Sequence, residues 1–354
     1  MIRVAINGYG RIGRVAHRVI LQKHFSEIDI VAINAGSSTD IKGWMYLLKY
    51  DTSYGPLISE FRIQSSELSN EEKTGVLKDA IGYLIINDKK IPVISQRDPS
   101  LLPWRDLNVD VVIESTGHFT TAEKLKPHLD AGAKAVVLSA PVKEGEIPTY
   151  VISVNSNDYK GEKIINNASC TTNCITPVAK VMVDHFGVEK AMMTTIHGYT
   201  SDQRIQDGGH KDYRRARAAA ENIIPTSTGA TIAAAEALAE LKGLFDGLAI
   251  RVPVRVGSLS DFTFLLKRET TKDEVNNVIK QEAGNPAFQG VLEVTEDPIV
   301  SSDIIGNSHS AIVDLSLTQV VGGNMVKIIA WYDNEYGYSN RLVEEVIMVG
   351  RKLT

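Results

Sequence analysis

The sequence predicts an α/β protein of two domains, the first built on a parallel sheet and the second on a mixed or antiparallel sheet that helices cover on one side. An apolar segment at the amino terminus runs directly into a glycine-rich turn and a helical pattern. Strand-like and helix-like segments then alternate to about residue 168, as is typical of a parallel sheet. In the second half, strands occur in runs and the helices are grouped apart, which favours an α+β arrangement.

The glycine-rich turn predicts a dinucleotide site. Gly8-Tyr9-Gly10-Arg11-Ile12-Gly13 follows the apolar segment Ile2–Asn7, and a helical pattern and the strand-like Ile28–Asn34 come next. In this setting the first glycine permits the tight turn, the second lets a pyrophosphate approach, and the third allows close helix packing. The alternative is a glycine-rich turn without a ligand. We therefore predict a Rossmann-type first domain with the cofactor contacts Gly8, Gly10, Arg11, Ile12 and Gly13.

The α/β alternation continues through the first half of the chain. A strand over Val109–Glu114 ends in the small residues Ser115, Thr116 and Gly117. Because a doubly wound sheet binds its ligand at the carboxyl ends of its strands, these three residues are predicted cofactor contacts. The other predicted elements are a hairpin at Asn87–Lys90, a solvated loop at Glu71–Lys73, a helix over Thr121–Ala131, and strands over Ala135–Leu138 and Val151–Val154.

The segment Ala168–Cys174 contains the predicted nucleophile. It lies between the strand-like Lys163–Asn167 and a helical pattern that Gly187 is predicted to end, so Cys170 comes where a helix begins. Free N–H groups and a partial positive charge at a helix start favour thiolate over thiol, and a thiolate is the better nucleophile. Hydroxyl-bearing neighbours could hold a small polar substrate. The alternative is that Cys170 is a free cysteine that only packs.

A candidate base follows within thirty residues of the cysteine. Met192–Ile196 is typical of a strand, and His197 stands at its end, before Gly198. A histidine at a strand end faces a cleft more often than a core. Cys170 and His197 can then form the nucleophile–base pair that thiol catalysis needs.

The second half also contains further predicted elements. An alanine-rich helix is expected to open at Thr226–Ala230, where hydroxyl and backbone N–H groups could bind an anion or simply cap the helix. Thr271–Glu274 is a capping box before another helix. Strands are predicted over Leu248–Val256, Asp261–Lys267, Ala311–Leu317 and Met325–Trp331, and a final helix over about Tyr338–Arg351 is expected to fold back onto the first domain.

Five segments carry a resemblance to one family: Ser169–Cys174, His197, Arg214–Ala219, Pro225–Ala230 and Trp331–Glu335. In these segments, and in order from Met1 to about Val349, the chain resembles phosphorylating glyceraldehyde-3-phosphate dehydrogenases. The resemblance implies reversible oxidation of D-glyceraldehyde 3-phosphate to 1,3-bisphosphoglycerate. Cys170 would form a hemithioacetal and then a thioester, with hydride transfer to NAD or NADP, and inorganic phosphate would release the product. It also implies a homotetramer.

The resemblance also implies where the two phosphate groups and the cofactor bind. Thr200 and Arg251 match residues that hold the substrate phosphate, and Arg217 would lie close to both anion subsites. The attacking phosphate would be held by Ser169, Thr171, Thr228 and Gly229. Further implied cofactor contacts are Asn34, Arg97, Asn334 and Tyr338, of which Asn334 would fix the carboxamide.

Two departures from the family concern the cofactor. NAD-specific members have an aspartate at about the position of Ala35, where it takes the ribose hydroxyls, and a Leu-Pro pair at Gly208-Gly209. The second position lies in the long polar and basic loop Tyr199–Asn222, which in the family packs between subunits along the neighbouring cofactor. Hydroxyls at Ser37–Thr39 could bind a 2′-phosphate, although no arginine is nearby in sequence. We therefore predict NADP use at least equal to NAD use; the alternative is neutral drift with NAD retained.

Composition limits the other classes of function. The chain has 354 residues, 43% of them hydrophobic, and a net charge of -5, which argues against general nucleic-acid or anionic-membrane binding. Its two cysteines, four positions apart, do not suggest a disulfide framework, and their spacing from the histidines does not fit a zinc site. The amino terminus lacks signal-peptide organisation, and no apolar run approaches membrane-spanning length. A cytoplasmic enzyme without a metal is the expectation.

Two rival functions remain open at this stage. One is oxidation of erythrose 4-phosphate on the same scaffold, although the run Ile196–Thr200 favours the triose. The other is a cofactor-binding regulatory or scaffold protein without turnover. The predicted domains are residues 1–168 with a terminal helix at about 336–354, which bind NAD(P), and residues 169–335, which bind substrate. The sequence leaves the physiological direction, glycolytic or biosynthetic, undecided.

Overall fold

The computed structural model describes residues 1–65, 77–142 and 146–353, so the loop predicted at Glu71–Lys73 lies outside the described residues. The chain forms two compact units. Unit 1 comprises Met1–Pro148, Tyr159–Asn167 and Leu342–Thr354, and unit 2 comprises Thr149–Asp158 and Ala168–Arg341. The predicted fold class is confirmed, since one unit contains a mostly parallel sheet and the other a mixed sheet with helices.

Unit 1 is built on an eight-stranded sheet. Its strands are β1 Ile2–Asn7, β2 Ile28–Asn34, β3 Phe61–Ser65, β4 Ala80–Ile86, β5 Lys89–Ile94, β6 Val111–Glu114, β7 Ala135–Leu138 and β8 Ile164–Asn166. They lie in the order β3-β4-β5-β2-β1-β6-β7-β8. Neighbours from β5 to β8 pair in parallel, whereas β4 pairs antiparallel with both β3 and β5. The helices that begin in the described part of this unit are α1 Arg11–Lys23, α2 Ile41–Lys49 and α3 Ala122–Asp130.

The topology brings three loops of unit 1 to one edge of the sheet. Strand β1 lies between β2 and β6 and runs parallel to both, so the loops that follow these three strands meet at their carboxyl ends. Backbone bonds join them directly: Gly8 N–H donates to Asn34 O at 3.0 Å, and Ser115 N–H donates to Asn7 O at 2.8 Å. The glycine-rich turn, the Ala35 loop and the Ser115 turn are therefore neighbours.

Unit 2 contains the second sheet. Its strands are β9 Val188–Gly198, β10 Ile224–Ser227, β11 Phe245–Val252, β12 Ser258–Leu266, β13 Leu292–Thr295, β14 Ala311–Asp314, β15 Gln319–Val321 and β16 Met325–Tyr332. The order is β10-β11-β9-β12-β16-β14-β13, with β15 paired to β16. The sheet is mixed because β9 with β11 and β13 with β14 are parallel, and the other pairs are antiparallel.

Helices and sheet of unit 2 share one core. The helices are α4 Cys170–Phe186, α5 Ala230–Ala237 and α6 Lys272–Ala283, and α7 Tyr336–Leu353 follows at the end of the chain. Strand β12 alternates strictly between buried and half-buried residues, and its Phe262 and Phe264 pack in the same cluster as Val178 and Met182 of α4. Short 3-10 helices occur in both units: Pro99–Leu101 lies in unit 1, and Ser156–Asp158, Ala239–Leu241, Pro286–Phe288 and Leu315–Leu317 lie in unit 2.

The segment Val151–Val154 is a turn and not the predicted strand. Asn155 explains the difference, because its side chain accepts a hydrogen bond from Val151 N–H at 2.8 Å and donates to Thr149 O at 2.9 Å. Such a side chain holds a turn in place of a strand ladder. This turn is part of Thr149–Asp158, which belongs to unit 2, although the sequence placed it in the first domain. In the described part of the chain, no helix combines the length and apolarity needed to cross a membrane.

Candidate active site

Cys170 is the first residue of α4. The preceding Ala168 has a left-handed backbone (φ 51°), which turns the chain sharply before the helix. Ser169 is the N-cap, and its Oγ accepts a hydrogen bond from Thr172 N–H at 3.0 Å. The predicted strand-to-helix position of the cysteine is thus observed, with the cap supplied by the residue directly before it.

His197 faces this thiol from the end of β9. Its Nε2 lies 3.3 Å from Cys170 Sγ, and its Nδ1 lies 2.6 Å from Gly198 O. Strand β11 pairs with β9 so that Arg251 is opposite His197, which puts the Arg251 Nη1 2.7 Å from Nδ1 and 3.1 Å from Gly198 O. The carbonyl can only accept, so its contact is consistent with the tautomer that has the imidazole proton on Nδ1, whereas the guanidinium beside the same nitrogen can only donate. In this tautomer Nε2 can accept the thiol proton.

Burial controls the protonation of this pair. Desolvation lowers the pKa of His197 to about 3, and the neighbouring Arg251 charge acts in the same direction. Desolvation also raises the pKa of the Cys170 thiol, although Arg251 opposes that shift. The direction of this shift is opposite to the effect expected of the helix start, because burial disfavours the charged thiolate. Both shifts favour a thiol beside a neutral imidazole.

An anion-binding group lies beside the pair. Arg251 Nε is buried and has no hydrogen-bond partner among the described residues. An unpartnered guanidinium N–H in a buried site is suited to a phosphate oxygen. Thr200 is close by, since its hydroxyl donates to Asp202, a carboxylate whose pKa the Arg251 charge helps to lower. Thr200 and Arg251, predicted together, thus both act on Asp202.

Arg217 is placed differently from the prediction. It is exposed, and its Nε donates to Asp207 Oδ2 at 2.7 Å. Arg215 is the arginine at the site instead: it donates to Asp202 Oδ2 at 2.8 Å and to Thr226 Oγ1 at 2.9 Å, and its charge acts on His197. The basic run Arg214–Arg217 was the sequence signal for an arginine at the site. Spacing alone could not show whether Arg215 or Arg217 is that arginine.

The residues predicted for the attacking phosphate lie at two neighbouring helix starts. Thr172 Oγ1 donates to Ala230 O at 3.4 Å, which joins the start of α4 to that of α5. Gly229 is the N-cap of α5, and a Cβ there would meet no atom within 4 Å. Thr228 Oγ1 accepts from Ala230 N–H at 3.2 Å, so it acts as a cap as well. Thr171 instead points into the protein.

Tyr332 is a site residue that sequence reasoning missed. Its hydroxyl lies 2.9 Å from Thr171 Oγ1 and 2.8 Å from Thr195 Oγ1. The Tyr332 and His197 rings form an edge-to-face pair, with centroids 6.0 Å apart and planes at 74°. The Tyr332 hydroxyl therefore hydrogen-bonds both to α4, which carries the thiol, and to β9, which carries the imidazole.

Two other predicted residues of unit 2 have defined partners. Asn334 is buried, and its Oδ1 accepts from Gly257 N–H and Ser258 Oγ, both at 3.0 Å. This fixes the amide so that its nitrogen is the donor end, as carboxamide recognition would require. Tyr338 donates to Ala168 O at 3.3 Å, so its hydroxyl supports the turn before Cys170.

In unit 1 the glycine-rich turn has the shape that a pyrophosphate requires. Gly8 has φ 93°, and a Cβ there would lie 2.5 Å from Thr116 N, so no side chain fits. At Gly10 a Cβ would meet nothing within 4 Å, and α1 begins there without a side-chain cap. Open space in front of uncapped helix N–H groups suits an anionic phosphate. Ser115 Oγ donates to Gly8 O at 2.7 Å and so holds the turn.

The remaining predicted cofactor residues fall into two groups. Asn34 is occupied within the protein, donating to Asn7 Oδ1 at 2.7 Å and to Gln96 O at 2.8 Å. Arg11 pairs with Asp51 and lies over the Tyr54 ring. Arg97, by contrast, is exposed just beyond the end of β5. Of the other predicted contacts, Ile12 lies in the first turn of α1, and Thr116 and Gly117 lie in the loop after β6.

No group of three or more His, Cys, Asp or Glu side chains that could hold a metal ion occurs in the part of the chain that the structure describes. Both cysteines are free thiols; Cys174, one helical turn after Cys170, is fully buried. Cys174 therefore packs in the core of unit 2.

Comparison with known proteins gives concordant matches. The family model described as glyceraldehyde 3-phosphate dehydrogenase, NAD binding domain, matches residues 2–122, and that of the C-terminal domain matches residues 169–334. A glyceraldehyde-3-phosphate dehydrogenase of Streptomyces coelicolor is 49% identical over 354 residues, and one of Mycolicibacterium smegmatis is 46% identical over 358 residues. Each alignment covers 99% of both chains.

Proposed function

The chain belongs to the glyceraldehyde-3-phosphate dehydrogenase family, and on that basis we propose that it catalyses the reversible, phosphorylating oxidation of D-glyceraldehyde 3-phosphate to 1,3-bisphosphoglycerate. The observation that carries the proposal is the 3.3 Å contact between Cys170 Sγ and His197 Nε2, beside a buried and unpartnered Arg251 Nε. A nucleophile, a base and an anion-binding group are what this reaction requires in one place.

In the proposed mechanism, Cys170 Sγ attacks the aldehyde carbon while His197 Nε2 takes the thiol proton. That proton passes to the former carbonyl oxygen, which gives a hemithioacetal. Bound NAD(P) supplies a hydride acceptor, and His197 removes the hydroxyl proton as the hydride leaves, so that a thioester forms on Cys170. Inorganic phosphate then attacks the thioester carbon, the acyl phosphate departs, and His197 returns the proton to the cysteine sulfur.

The neutral state of the pair is consistent with this sequence of steps. An imidazole whose pKa is lowered to about 3 is unprotonated before the reaction and can accept a proton. The arginine that lowers it can also bind the substrate phosphate, and neutralising Arg251 in this way would make His197 a stronger base once substrate is bound. Substrate binding and base strength are thus coupled in the proposal.

We further propose that NADP is used at least as well as NAD. Ala35 lacks the carboxylate that would repel a 2′-phosphate, and Arg97, a predicted cofactor contact distant from Ala35 in sequence, could supply a positive charge. Ala35 N–H donates to Ile94 O at 2.8 Å and Ser95 Oγ donates to Gly36 O at 3.3 Å, so the exposed Arg97 follows a segment bound to the Ala35 loop. A charge-assisted hydrogen bond is worth about 1.5–3 kcal/mol, or roughly tenfold or more in affinity.

The cofactor proposal is tested by comparing kcat/KM for NADP and NAD with glyceraldehyde 3-phosphate, in the wild type and in Ala35→Asp. The variant should shift preference toward NAD, chiefly by raising KM for NADP. Ala35→Asn is the matched control, because it adds similar bulk without charge. A wild type that strongly prefers NAD, together with unchanged NADP use in Ala35→Asp, would overturn this part.

The substrate is tested by phosphate-dependent reduction of the cofactor. Glyceraldehyde 3-phosphate should be oxidised with a higher kcat/KM than erythrose 4-phosphate. Repeated turnover, followed as reduction of the cofactor, should require inorganic phosphate. A preference for erythrose 4-phosphate would identify the other dehydrogenase activity. Cofactor binding without oxidation of either substrate would favour a non-enzymatic role.

We also propose a homotetramer. Unit 2 exposes large apolar side chains on strands β9 and β11 and on the loop before β10: Met192, Ile205, Tyr213, Ile223 and Leu248 are between 43% and 88% exposed. Several such residues in one unit favour a protein–protein contact. The Tyr199–Asn222 loop, which the family packs between subunits, contributes two of them.

A further inference from the structure

Trp44 links the two cofactor loops of unit 1. It lies in the first turn of α2, and its Nε1–H donates to Ser38 Oγ at 3.0 Å. The Trp44 and Tyr9 rings form an edge-to-face pair with centroids 5.9 Å apart, and the Arg14 guanidinium lies 5.6 Å from the centre of the Trp44 ring. Tyr9 belongs to the glycine-rich turn and Ser38 to the loop after β2. The indole is therefore held between the pyrophosphate side and the adenosine side of the site.

The hydrogen bonds of Ser38 leave its hydroxyl as a donor. Ser38 Oγ accepts from Trp44 Nε1 and, at 3.4 Å, from Asp40 N–H. A serine hydroxyl has two acceptor lone pairs and one proton, so both acceptor positions are engaged. Among the described residues no acceptor for the Ser38 proton is found. Ser38 is half-buried, so its O–H remains accessible to a ligand.

The place of Ser38 in the fold identifies that ligand group. Ser38 N–H donates to Ala35 O at 3.2 Å in a tight turn, so Ser38 lies next to the residue at the carboxyl end of β2. In a dinucleotide-binding sheet the ribose of the adenosine is read there. A phosphate oxygen can only accept a hydrogen bond, whereas a ribose hydroxyl can both donate and accept. A side chain restricted to donating thus matches a phosphate better than a hydroxyl.

We infer that Trp44 is a positioning residue for cofactor selection: it holds Ser38 as a hydrogen-bond donor to the 2′-phosphate of NADP. The inference rests on the proposed NADP use and names the residues that read the phosphate. Trp44 does not touch the cofactor in this account. It acts through the Ser38 hydroxyl and leaves the chemistry at Cys170 unaffected.

The test is isothermal titration of the intact protein with NADP and with NAD. Trp44→Phe keeps the ring between Tyr9 and Arg14 but removes the N–H donor. The Kd for NADP should rise about three- to tenfold, as for loss of one oriented hydrogen bond, while the Kd for NAD changes less than about twofold. Ser38→Ala should give the same pattern, and Ser38→Thr, which keeps a hydroxyl, should retain NADP affinity. The control is Tyr46→Phe, an exposed aromatic on the same helix.

The double variant decides whether Trp44 acts through Ser38. Trp44→Phe should have little further effect on NADP binding in the Ser38→Ala background. Additive effects, or equal weakening of NADP and NAD by Trp44→Phe, would overturn the inference. If Trp44→Phe fails to fold, unchanged NADP affinity in Ser38→Ala would also overturn it.

The proposed NADP use can fail separately. A wild type that binds NADP much more weakly than NAD would overturn that proposal. The role of Trp44 would then stand only if Trp44→Phe still lowered the ratio of NADP affinity to NAD affinity, and an unchanged ratio would overturn it.

Discussion

Cys170 and His197 are 27 residues apart in sequence, yet their side chains meet because the start of α4 and the end of β9 lie together in unit 2. The sequence predicted both residues, since each stands at the end of a recognisable element. It could not predict their protonation. Whether a helix start or burial dominates a thiol depends on the surrounding tertiary structure, and here burial raises the pKa of Cys170.

The two cysteines should differ sharply toward iodoacetamide. Cys170 is half-buried beside a base, whereas Cys174 is fully buried and its pKa is raised well above the ordinary thiol value. We expect labelling at Cys170 first. Because a raised thiol pKa shifts thiolate formation to higher pH, the rate should keep rising through about pH 8–9. His197→Asn should slow both labelling and hydride transfer, the latter by about 10²–10⁴.

Mass spectrometry of the alkylated peptides measures the labelling rate of each cysteine. Cys174→Ser is the matched control and should have only a mild effect on activity. A labelling rate that is already level below neutral pH would contradict the neutral pair. Substantial dehydrogenase activity in Cys170→Ser would rule out the nucleophile.

Arg215 and Arg217 form a matched pair at the residue scale. Arg215 donates to Asp202 beside the site, whereas Arg217 pairs with Asp207 at the surface. We expect Arg215→Ala to lower kcat/KM for glyceraldehyde 3-phosphate by roughly tenfold or more, because losing a hydrogen bond to a charged group costs about 1.5–3 kcal/mol. Arg217→Ala should change it less than about threefold, as for an exposed ion pair. The reverse order would show that Arg217, the residue implied by the family resemblance, serves the anion site after all.

At the scale of elements, hydrophobic periodicity and the glycines and polar residues that end strands predicted most of the first sheet. Strands β1, β2 and β7 have the predicted bounds, because each is a continuous apolar run whose ends are defined by flanking glycines or polar residues. Helix α2 was not predicted, although Asp40 caps it by accepting from Gly43 N–H at 2.8 Å. Its Gly43 and aromatic residues weaken the helical pattern, and tertiary packing of Trp44 compensates. This explains why Ser38 was predicted as a phosphate contact but its indole partner was not.

Gly8 and Gly10 separate two roles within the glycine-rich turn. In Gly8→Ala the new Cβ would lie 2.5 Å from Thr116 N, so we expect lower thermal stability. In Gly10→Ala the Cβ meets no protein atom within 4 Å, so stability should be nearly unchanged while cofactor affinity falls. Thermal melting and titration with NAD(P) measure the two effects. Unchanged cofactor affinity in Gly10→Ala would contradict the assignment of this turn to the pyrophosphate.

At the scale of the whole molecule, the sequence predicted two domains and a terminal helix that returns to the first, and Leu342–Thr354 belongs to unit 1. The boundary at Thr149–Asp158 was not predictable from local pattern, since it depends on which unit the turn packs against. Oligomerisation is likewise a property of surfaces, and periodicity within a single chain does not encode which exposed residues meet.

The exposed apolar residues of unit 2 give a test of assembly. Light scattering should give the wild type a molar mass of four times the 38.7 kDa chain mass. Leu248→Asp should shift it toward smaller species, because a charge in an apolar contact is costly. Val300→Asp, at another exposed apolar residue, is the control. A monomeric wild type would contradict the proposed tetramer.

The central claim, a thioester on Cys170 that phosphate releases, is tested most directly by rapid mixing without phosphate. With glyceraldehyde 3-phosphate and oxidised cofactor, the account predicts a burst of about one reduced cofactor per active subunit and an acyl adduct on the peptide that contains Cys170. Added phosphate should discharge the adduct and start turnover. An absent burst, an adduct on another residue, or full turnover without phosphate would contradict the account.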